Sequence, residues 1–388
     1  MASFRKRGDT WSYRLSLINP KTGKRMQPEK SGFKSERAAQ RAATKLEAEI
    51  LNQTYVHEKD ISFISFAQQW LEMFAADGTK AYGTLDVRQG GVNRLSKHFT
   101  HKKIKDITKA NYQNVLIELS KTLAHETLIS THATAKLLFR KAIELEVIKK
   151  NPTEYAVVPV KRKTVSDLES VEELPKYLEK EELKQLLRYA FENCHYQEFA
   201  QYHLLAYTGM RIGEMCVIKW SDIDFEAKKI SITKTLYNNK NNVKKFKLVP
   251  PKTASSKREI AIDNQTMAVL KKQRAEQLEY KMEKRDSFTD HNFVFTNRHR
   301  YPGYPEMQKQ LEARMKLLLP KCGLPSHMTP HTLRHTHVSI LAEAGVSLET
   351  IQERLGHKDD GITRRVYQHI TKTMKNEAAM IFESIMNS

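Results

Sequence analysis

The middle of the chain, residues 61–160, carries apolar residues at helical spacing. Phe66, Trp70 and Phe74 form the first apolar stripe and predict a helix. Three further stripes follow, and the four predicted helices span residues 63–76, 85–99, 109–122 and 125–147. Thr108 is a suitable N-cap for the third helix. Four helices of this length predict a helical bundle.

At the start of the chain, apolar and polar residues alternate instead. Trp11–Ile18 has the period of a strand, and residues 24–33 supply further strand. Ser35 is suited to cap a helix whose small apolar stripe begins at Ala38. Residues 1–57 are therefore predicted to form a small sheet plus one helix.

Residues 176–388 contain segments with helical spacing and segments that alternate as strands do. The predicted helices are 180–193, 197–208, 264–284, 307–319, 330–344, 348–355, short pieces around Tyr367, and 373–386. The predicted strands are 229–235, 243–249 and 257–262. The fold class is thus α+β and mostly helical: a β-sheet-plus-helix N-terminal domain, a helical bundle, and a mixed helical domain with a small antiparallel sheet. The charged, Pro-bounded stretch 161–175 is interpreted as an inter-domain linker.

Charge narrows the choice of partners. Lys and Arg total 65 against 45 acidic residues, a formal net charge of +20. This excess favours polyanions, with DNA or RNA first and an acidic membrane surface second. No run approaches the roughly 18 apolar residues of a spanning helix, and the charged N-terminus lacks a signal segment. An intracellular protein is expected. The three cysteines form no CxxC pair, so neither a disulfide framework nor a zinc knuckle is predicted: Cys194, Cys216 and Cys322.

Two basic segments are candidates for DNA contact. In the first 30 residues, Lys and Arg outnumber Asp9 and Glu29. A strand ribbon fits a major groove, and the side chains proposed to meet DNA there are Trp11, Tyr13, Arg14 and Arg25. The alternative is a solubilising subdomain with the tryptophan in its core. The linker begins with three cations that either follow a phosphate backbone or are simply solvated: Lys161, Arg162 and Lys163.

The C-terminal part holds an unusual chemical set. Arg211 lies in TGMRIGE, His331 and Arg334 in HTLRH, His357 in LGH, and Tyr367 ten residues later. A phenol among cations suits attack on a phosphodiester, because guanidinium forks hold phosphate oxygens and imidazoles exchange protons.

A zinc site is a competing interpretation of the histidines. His331 and His335 are four residues apart, as helical zinc ligands often are. The metallopeptidase pattern needs Glu directly after the first His, and Thr332 stands there. No metal is therefore expected, and His335 is assigned a supporting structural role.

Taken singly, these residues have ordinary explanations: Arg211 could form a surface salt bridge with Glu214, and Tyr367 could be a packing residue. Their joint order is more specific. Residues 176–388 closely resemble the catalytic domain of the tyrosine recombinases, the integrases of phages and conjugative transposons. The motifs that carry the resemblance are TGMRIGE, PKTASSKREI, HTLRHTHVSILAEAGVSLETIQERLGH and VYQHI. Residues 1–57 and 61–160 look like the arm-type and the helical, SAM-like core-binding domains of larger integrases.

The resemblance implies roles for individual residues. Tyr367 would form a 3′-phosphotyrosyl link, with Arg211 and Arg334 on the non-bridging oxygens. Glu214 would support the site. The remaining catalytic positions are the leaving-group acid Lys252, the proton-transfer residue His331 and the phosphate ligand His357. Other lysines of the same hairpin region leave the choice of acid open: Lys244, Lys245, Lys247 and Lys257.

The resemblance also implies site-specific recombination that integrates and excises a mobile element, without cofactor, metal or ATP. The expected partners are double-stranded attachment sites and three further copies of the chain, acting through a Holliday junction in the cytoplasm of a bacterial host. Relatives also use an excisionase and a DNA-bending host protein. The last helix would dock on a neighbouring protomer or within its own. Two alternatives stay open: strand cleavage and rejoining like that of a type IB topoisomerase, and a non-catalytic DNA-binding regulator.

Overall fold

The computed structural model of the protein describes residues 2–18, 25–51, 60–160, 177–238, 242–251, 256–356, 361 and 363–371. Tertiary contacts divide the chain into two units, Met1–Arg162 and Lys163–Ser388. Residues 1–57 and 61–160 both fall in the first unit, and the finer division into three domains with a linker stays a prediction. Among the described helices, none is both long enough and apolar enough to cross a membrane.

The first unit begins with a sheet covered by one helix. Strands β1 (Ala2–Arg7), β2 (Thr10–Leu15) and β5 (Glu29–Phe33) form an antiparallel sheet in the order β1-β2-β5, and β3 (Leu17–Ile18) pairs with β4 (Arg25–Met26). Helix α1 (Glu36–Leu51) contacts β1, β2 and β5. The Ser35 hydroxyl accepts the Ala38 N–H at 3.2 Å, which confirms the predicted cap. Strand β1 was not predicted, because Phe4 alone gives ASFRKR no alternation.

The predicted helical bundle is confirmed. It consists of α2 (Phe63–Ala76), α3 (Tyr82–His98), α4 (Lys109–Ser120) and α5 (His125–Glu144). The Thr108 hydroxyl caps α4 by accepting the Asn111 N–H at 3.1 Å. The stripes that predicted these helices form one apolar core, with Phe63, Phe66, Tyr112 and Phe139 fully buried.

The second unit is mostly helical with small antiparallel sheets. Its helices are α6 (Lys180–Asn193), α7 (Tyr196–Thr208), α8 (Ile212–Met215), α9 (Asn264–Glu283), α10 (Gln308–Leu318), α11 (Pro330–Glu343), α12 (Leu348–Leu355) and α13 (363–371). The strands β6 (Ile223–Asp224), β7 (Lys229–Ile232) and β10 (Arg258–Ala261) pair in the order β10-β7-β6, and β8 (Thr235–Tyr237) pairs with β9 (Lys247–Val249).

Two strand predictions in this unit were wrong in extent. The predicted strand 229–235 is two strands, because β7 pairs with β10 whereas β8 turns to pair with β9. The predicted strand 243–249 opens with a 3₁₀ turn, Val243–Lys245, so only its last three residues are strand.

The ends of three helices meet where the candidate residues lie. Helices α7 and α11 pack against each other, and α12 packs against α11. Gly209 caps the C-terminal end of α7, and Gly356 caps that of α12. Arg334, near the start of α11, bonds the carbonyls of Gly209 and Leu355, so these three helix ends lie together.

Candidate active site

Arg211 is placed by a tight turn between α7 and α8. Gly209 makes this turn with a φ of 63°, a left-handed conformation that favours glycine. A Cβ at this position would lie 2.6 Å from the Leu355 side chain and 2.7 Å from the His337 ring. The backbone angle therefore favours glycine at this position, and the close approach of α11 and α12 excludes a side chain.

Glu214 holds Arg211 from one side. Arg211 Nη1 donates to the carboxylate at 2.6 Å, and the Arg211 backbone N–H donates at 3.0 Å. The alternative of a surface salt bridge does not describe this pair, because the Glu214 side chain is only 2% exposed. Burial acts to raise the pKa of Glu214, but the hydrogen bond and charge of Arg258, with the charge of Arg211, outweigh it and lower the pKa overall. Glu214 is therefore a carboxylate at neutral pH.

Arg334 is buried and ties two helix ends together. Its Nη1 donates to the Gly209 carbonyl at 2.6 Å, and its Nη2 donates to the Leu355 carbonyl at 3.0 Å. The first of these partners lies two residues before Arg211. These two acceptors are neutral carbonyls, and their bonds orient the guanidinium.

The two histidines at the start of α11 lie side by side. His331 is exposed and His335 is half-buried, with ring centroids 4.8 Å apart in an edge-to-face arrangement. His331 precedes Arg334 by three residues and so shares its face of the helix. In the part of the chain that the structure describes, no group of three or more His, Cys, Asp or Glu is arranged to hold a metal ion.

Tyr367 lies on α13, half-buried against the apolar cluster of α11 and α12. That cluster includes Val338 and Leu355. Leu355 thus contributes its side chain to the cluster against which Tyr367 packs and its carbonyl to Arg334. Tyr367 is therefore a packing residue, which was the alternative to a catalytic role. It also lies beside the helix ends that position Arg211 and Arg334.

Several predicted residues lie outside the described residues: Lys161, Arg162, Lys163, Lys252 and His357, with the predicted last helix, 373–386. The flanks of two of them are described and meet. The Ser256 hydroxyl donates to the Gly356 carbonyl at 3.4 Å. This bond joins the segment that follows Lys252 to the residue directly before His357.

Sequence reasoning missed three polar residues behind this region. His337 is buried, with Nδ1 2.8 Å from the Ala206 carbonyl, and its Nε2 accepts a hydrogen bond from Arg354 at 3.1 Å. This pattern requires a neutral ring protonated on Nδ1. Burial, reinforced by the charge of Arg354, lowers the pKa of His337 to about 4. The third residue, Arg258, stands in the PKTASSKREI motif, but nothing local indicated that it would be buried.

The N-terminal candidates differ in their exposure: Trp11, Tyr13 and Arg14 lie on β2, and Arg25 lies on β4. Tyr13 is 4% exposed and packs against Phe33, with ring centroids 5.6 Å apart. Its assignment to DNA contact is corrected, because a side chain of the core cannot reach a base. Trp11 is half-buried, and Arg25 is exposed and donates to the Ser16 hydroxyl at 3.0 and 3.1 Å.

Arg14 lies on the outward face of the sheet. In the register, Arg14 is opposite Ser3 and Glu29, and it bonds the Glu29 carboxylate at 2.6 Å. Arg5 and Arg7 share this face by strand alternation. The pKa of Glu29 is lowered by the hydrogen bond and charge of Arg14, with smaller contributions from Arg7 and Arg5. One carboxylate thus stands among three arginines.

Comparison with known proteins agrees with this organisation. Residues 176–374 match the model of the phage integrase family, and residues 3–50 match that of an Arm DNA-binding domain. The integrase of Staphylococcus phage L54a is 30% identical over 89% of this chain and 99% of its own length.

Solved structures show the same fold. The Tn1549 transposon integrase bound to transposon right-end DNA aligns with a TM-score of 0.62 and 21% identity, over 82% of this chain and 100% of that one. A lambda integrase tetramer bound to a Holliday junction aligns with a TM-score of 0.54 and 18% identity, over 94% of each chain. The chain belongs to the phage integrase family of tyrosine recombinases, enzymes that cleave and rejoin DNA strands in site-specific recombination.

Proposed function

We propose that this protein recombines attachment-site DNA with Tyr367 as its nucleophile and with Arg211 and Arg334 on the attacked phosphate. One observation carries the assignment. Arg334 binds the carbonyl of Gly209, in the turn that leads to Arg211, and the carbonyl of Leu355, whose side chain belongs to the cluster under Tyr367. Two arginines 123 positions apart in sequence and the tyrosine are thus linked through three buried helix ends.

The proposed chemistry is an ester exchange. The Tyr367 oxygen forms a bond to phosphorus as the bond to the 5′-oxygen breaks, which leaves a 3′-phosphotyrosyl ester and a 5′-hydroxyl. His331 takes the phenolic proton, Lys252 supplies a proton to the leaving oxygen, and His357 hydrogen-bonds the phosphate. Fixed cations that stabilise charge on the phosphoryl oxygens account for most of such a rate enhancement. The covalent ester conserves the energy of the broken bond, so rejoining needs no ATP.

The proposed assembly is four copies on two DNA sites. Support comes from the lambda integrase tetramer on a Holliday junction. We further propose that the N-terminal sheet binds separate arm-type sites, that an excisionase and a DNA-bending host protein set direction, and that the protein acts in the cytoplasm of a bacterial host. Its relatives in phages and bacteria support this setting.

A covalent-trapping experiment tests the nucleophile. Attachment-site DNA with a nick beside the cleavage point loses the short leaving strand, so the phosphotyrosyl adduct accumulates on a denaturing gel. Wild type is expected to form the adduct and Tyr367→Phe to form none, while the control Tyr301→Phe, in the same unit, forms it at the wild-type rate. Peptide mass spectrometry should find the nucleotide on the peptide that contains Tyr367.

The same substrate separates the alternatives. Adding a second duplex tests strand exchange, which distinguishes a recombinase from an enzyme that only relaxes DNA. A non-catalytic regulator would bind the DNA and give no adduct with any variant. An adduct that persists in Tyr367→Phe would show that another residue is the nucleophile.

A further inference from the structure

Arg258 is a buried cation that the proposed chemistry leaves without a role. It is the first residue of β10, opposite Ile232 of β7, and its side chain is 6% exposed. Burying a guanidinium is costly unless its charge and its donors are satisfied. The partners of Arg258 therefore indicate what it does.

The first partner is Glu214. Arg258 Nη2 donates to one carboxylate oxygen at 2.9 Å, and Nη1 donates to the other at 3.3 Å. Arg211 donates to the same carboxylate at 2.6 Å from its side chain. The carboxylate of Glu214 thus stands between a buried arginine behind it and the more exposed Arg211 in front, whose side chain is 29% exposed.

The other partners belong to the two segments that flank Lys252 and His357. Arg258 Nη1 also donates to the Ser256 carbonyl at 3.2 Å, and Nε donates to the Arg354 carbonyl at 2.9 Å. Ser256 follows the segment that contains Lys252, and Arg354 lies three residues before His357. A single planar group therefore bonds Glu214 and both flanking segments.

We infer that Arg258 is a positioning residue for strand cleavage: it fixes Glu214 so that Glu214 orients Arg211, and it anchors the flanks of Lys252 and His357 to the same point. The inference rests on the proposed function. It assigns no contact with DNA to Arg258, which acts through Glu214 and through two carbonyl groups.

The geometry requires a guanidinium at this position. Only the planar fork of arginine offers parallel N–H groups to a carboxylate while Nε points elsewhere. A lysine keeps the charge but supplies one nitrogen, so it cannot bond Glu214 on both oxygens and also both carbonyls. Small displacements of a phosphate-holding group reduce rates by about 10²-fold, and we expect Arg258→Lys and Arg258→Met to lower the cleavage rate by about that factor.

The test is single-turnover cleavage of the nicked substrate at saturating protein, with DNA affinity measured in parallel. Arg258→Lys and Arg258→Met are expected to cleave about 100-fold more slowly and to bind DNA as wild type does. Lys229→Met is the matched control, because Lys229 is a cation of the same sheet whose partner, Glu259, is exposed. It is expected to cleave at the wild-type rate.

A second measurement separates positioning from general stability. The charged groups that lower the pKa of Glu214 are Arg258 and Arg211. In Arg258→Met the Glu214 carboxylate protonates at higher pH, so cleavage should fall as the pH is lowered through a range where wild type is unaffected. Adding Glu214→Gln to Arg258→Met should abolish this acid limb, and the two substitutions together should slow cleavage by much less than the product of their separate effects.

The outcomes that overturn the inference are distinct. Wild-type cleavage in both Arg258 variants would overturn it. It would also be overturned if cleavage were lost only in proportion to the loss of folded protein. In that case the effects of Arg258→Met and Glu214→Gln would multiply, and no new pH dependence would appear. A wild-type protein that forms no adduct would instead overturn the proposed function.

Discussion

At the residue scale, Gly209 meets three requirements at once. Its carbonyl accepts Arg334, its left-handed turn leads to Arg211, and its missing side chain leaves room for Leu355 and His337. The position of Arg211, which we propose to hold the phosphate, therefore depends on a residue that itself has no side chain.

We predict that Gly209→Ala destabilises the protein by about 2–5 kcal/mol, the sum of left-handed strain and an overpacked contact. Gly345→Ala is the matched control, since Gly345 also has a positive φ, 79°, but a Cβ there meets no atom within 4 Å. It should lose only about 1–2 kcal/mol. Urea unfolding of both variants gives the comparison, and equal losses would contradict the packing argument.

The catalytic candidates and the supporting residue Glu214 could be predicted from sequence, but the buried residues behind them could not. Arg211, Arg334 and Tyr367 stand in short motifs that local order reveals. Arg258 pairs with Glu214 across 44 positions, and no local pattern separates a buried arginine from an exposed one. Alternation, by contrast, already placed Tyr13 on the opposite face from Arg14, so its correction could have come from the sequence alone.

At the element scale, His337 joins three helices. It stands on α11, lies 2.8 Å from a carbonyl of α7 through Nδ1, and accepts from Arg354 of α12 through Nε2. Protonation would place a donor against the Arg354 N–H and a second cation beside its guanidinium. The neutral ring of His337 therefore helps to hold α7, α11 and α12 together.

We predict that the folded state loses stability as the pH falls from about 6.5 to about 4. Burial, the charge of Arg354 and, more weakly, that of Arg334 lower the pKa of His337 to about 4, against a smaller opposing effect of its bond to Ala206. Since the folded pKa lies below the unfolded one, the stabilisation is complete above the unfolded value and is lost on acidification. The loss should be about 1–3 kcal/mol by pH 4.

Urea unfolding of the full chain at several pH values measures this effect. His337→Asn should be less stable at neutral pH and should show a shallower dependence on pH than wild type. His327→Asn replaces an exposed histidine of the same unit and should keep the wild-type dependence. His203, also buried and with its pKa lowered by burial to about 4, should contribute in the same direction. An unchanged slope in His337→Asn would contradict the linkage.

Helices were easier to predict than strands for a physical reason. The bounds of α2, α6 and α12 follow from apolar stripes and from caps within a few residues of each helix. The break between β7 and β8 depends instead on which distant strand each one pairs with. The pairing partners are residues 247–249 for β8 and residues 258–261 for β7. The alternation of 229–235 gives no information about them.

At the scale of the whole molecule, part of the net charge of +20 lies on one face of the N-terminal sheet. Arg5, Arg7 and Arg14 stand on the outward face of the N-terminal sheet, around Glu29. A three-stranded sheet with a basic face can lie in a major groove, where Arg reads guanine edges as well as phosphates. The opposite face, with Tyr13 and Leu15, is used for the core under α1.

We predict that replacing these three arginines by alanine weakens binding to full-length attachment DNA but leaves cleavage of the short nicked substrate unchanged, because the sheet belongs to a different unit from Tyr367. A control with equal loss of charge is available on the exposed side of α1, where Arg37, Arg41 and Lys45 line one surface. If groove contact is responsible, the sheet variant should lose much more affinity than the helix variant at the same salt concentration, and the loss should depend on DNA sequence. If only counterion release matters, both variants should lose affinity equally and on any DNA. Electrophoretic mobility shifts with full-length, shortened and scrambled sites distinguish the two, and equal losses would contradict the assignment of this sheet to sequence recognition.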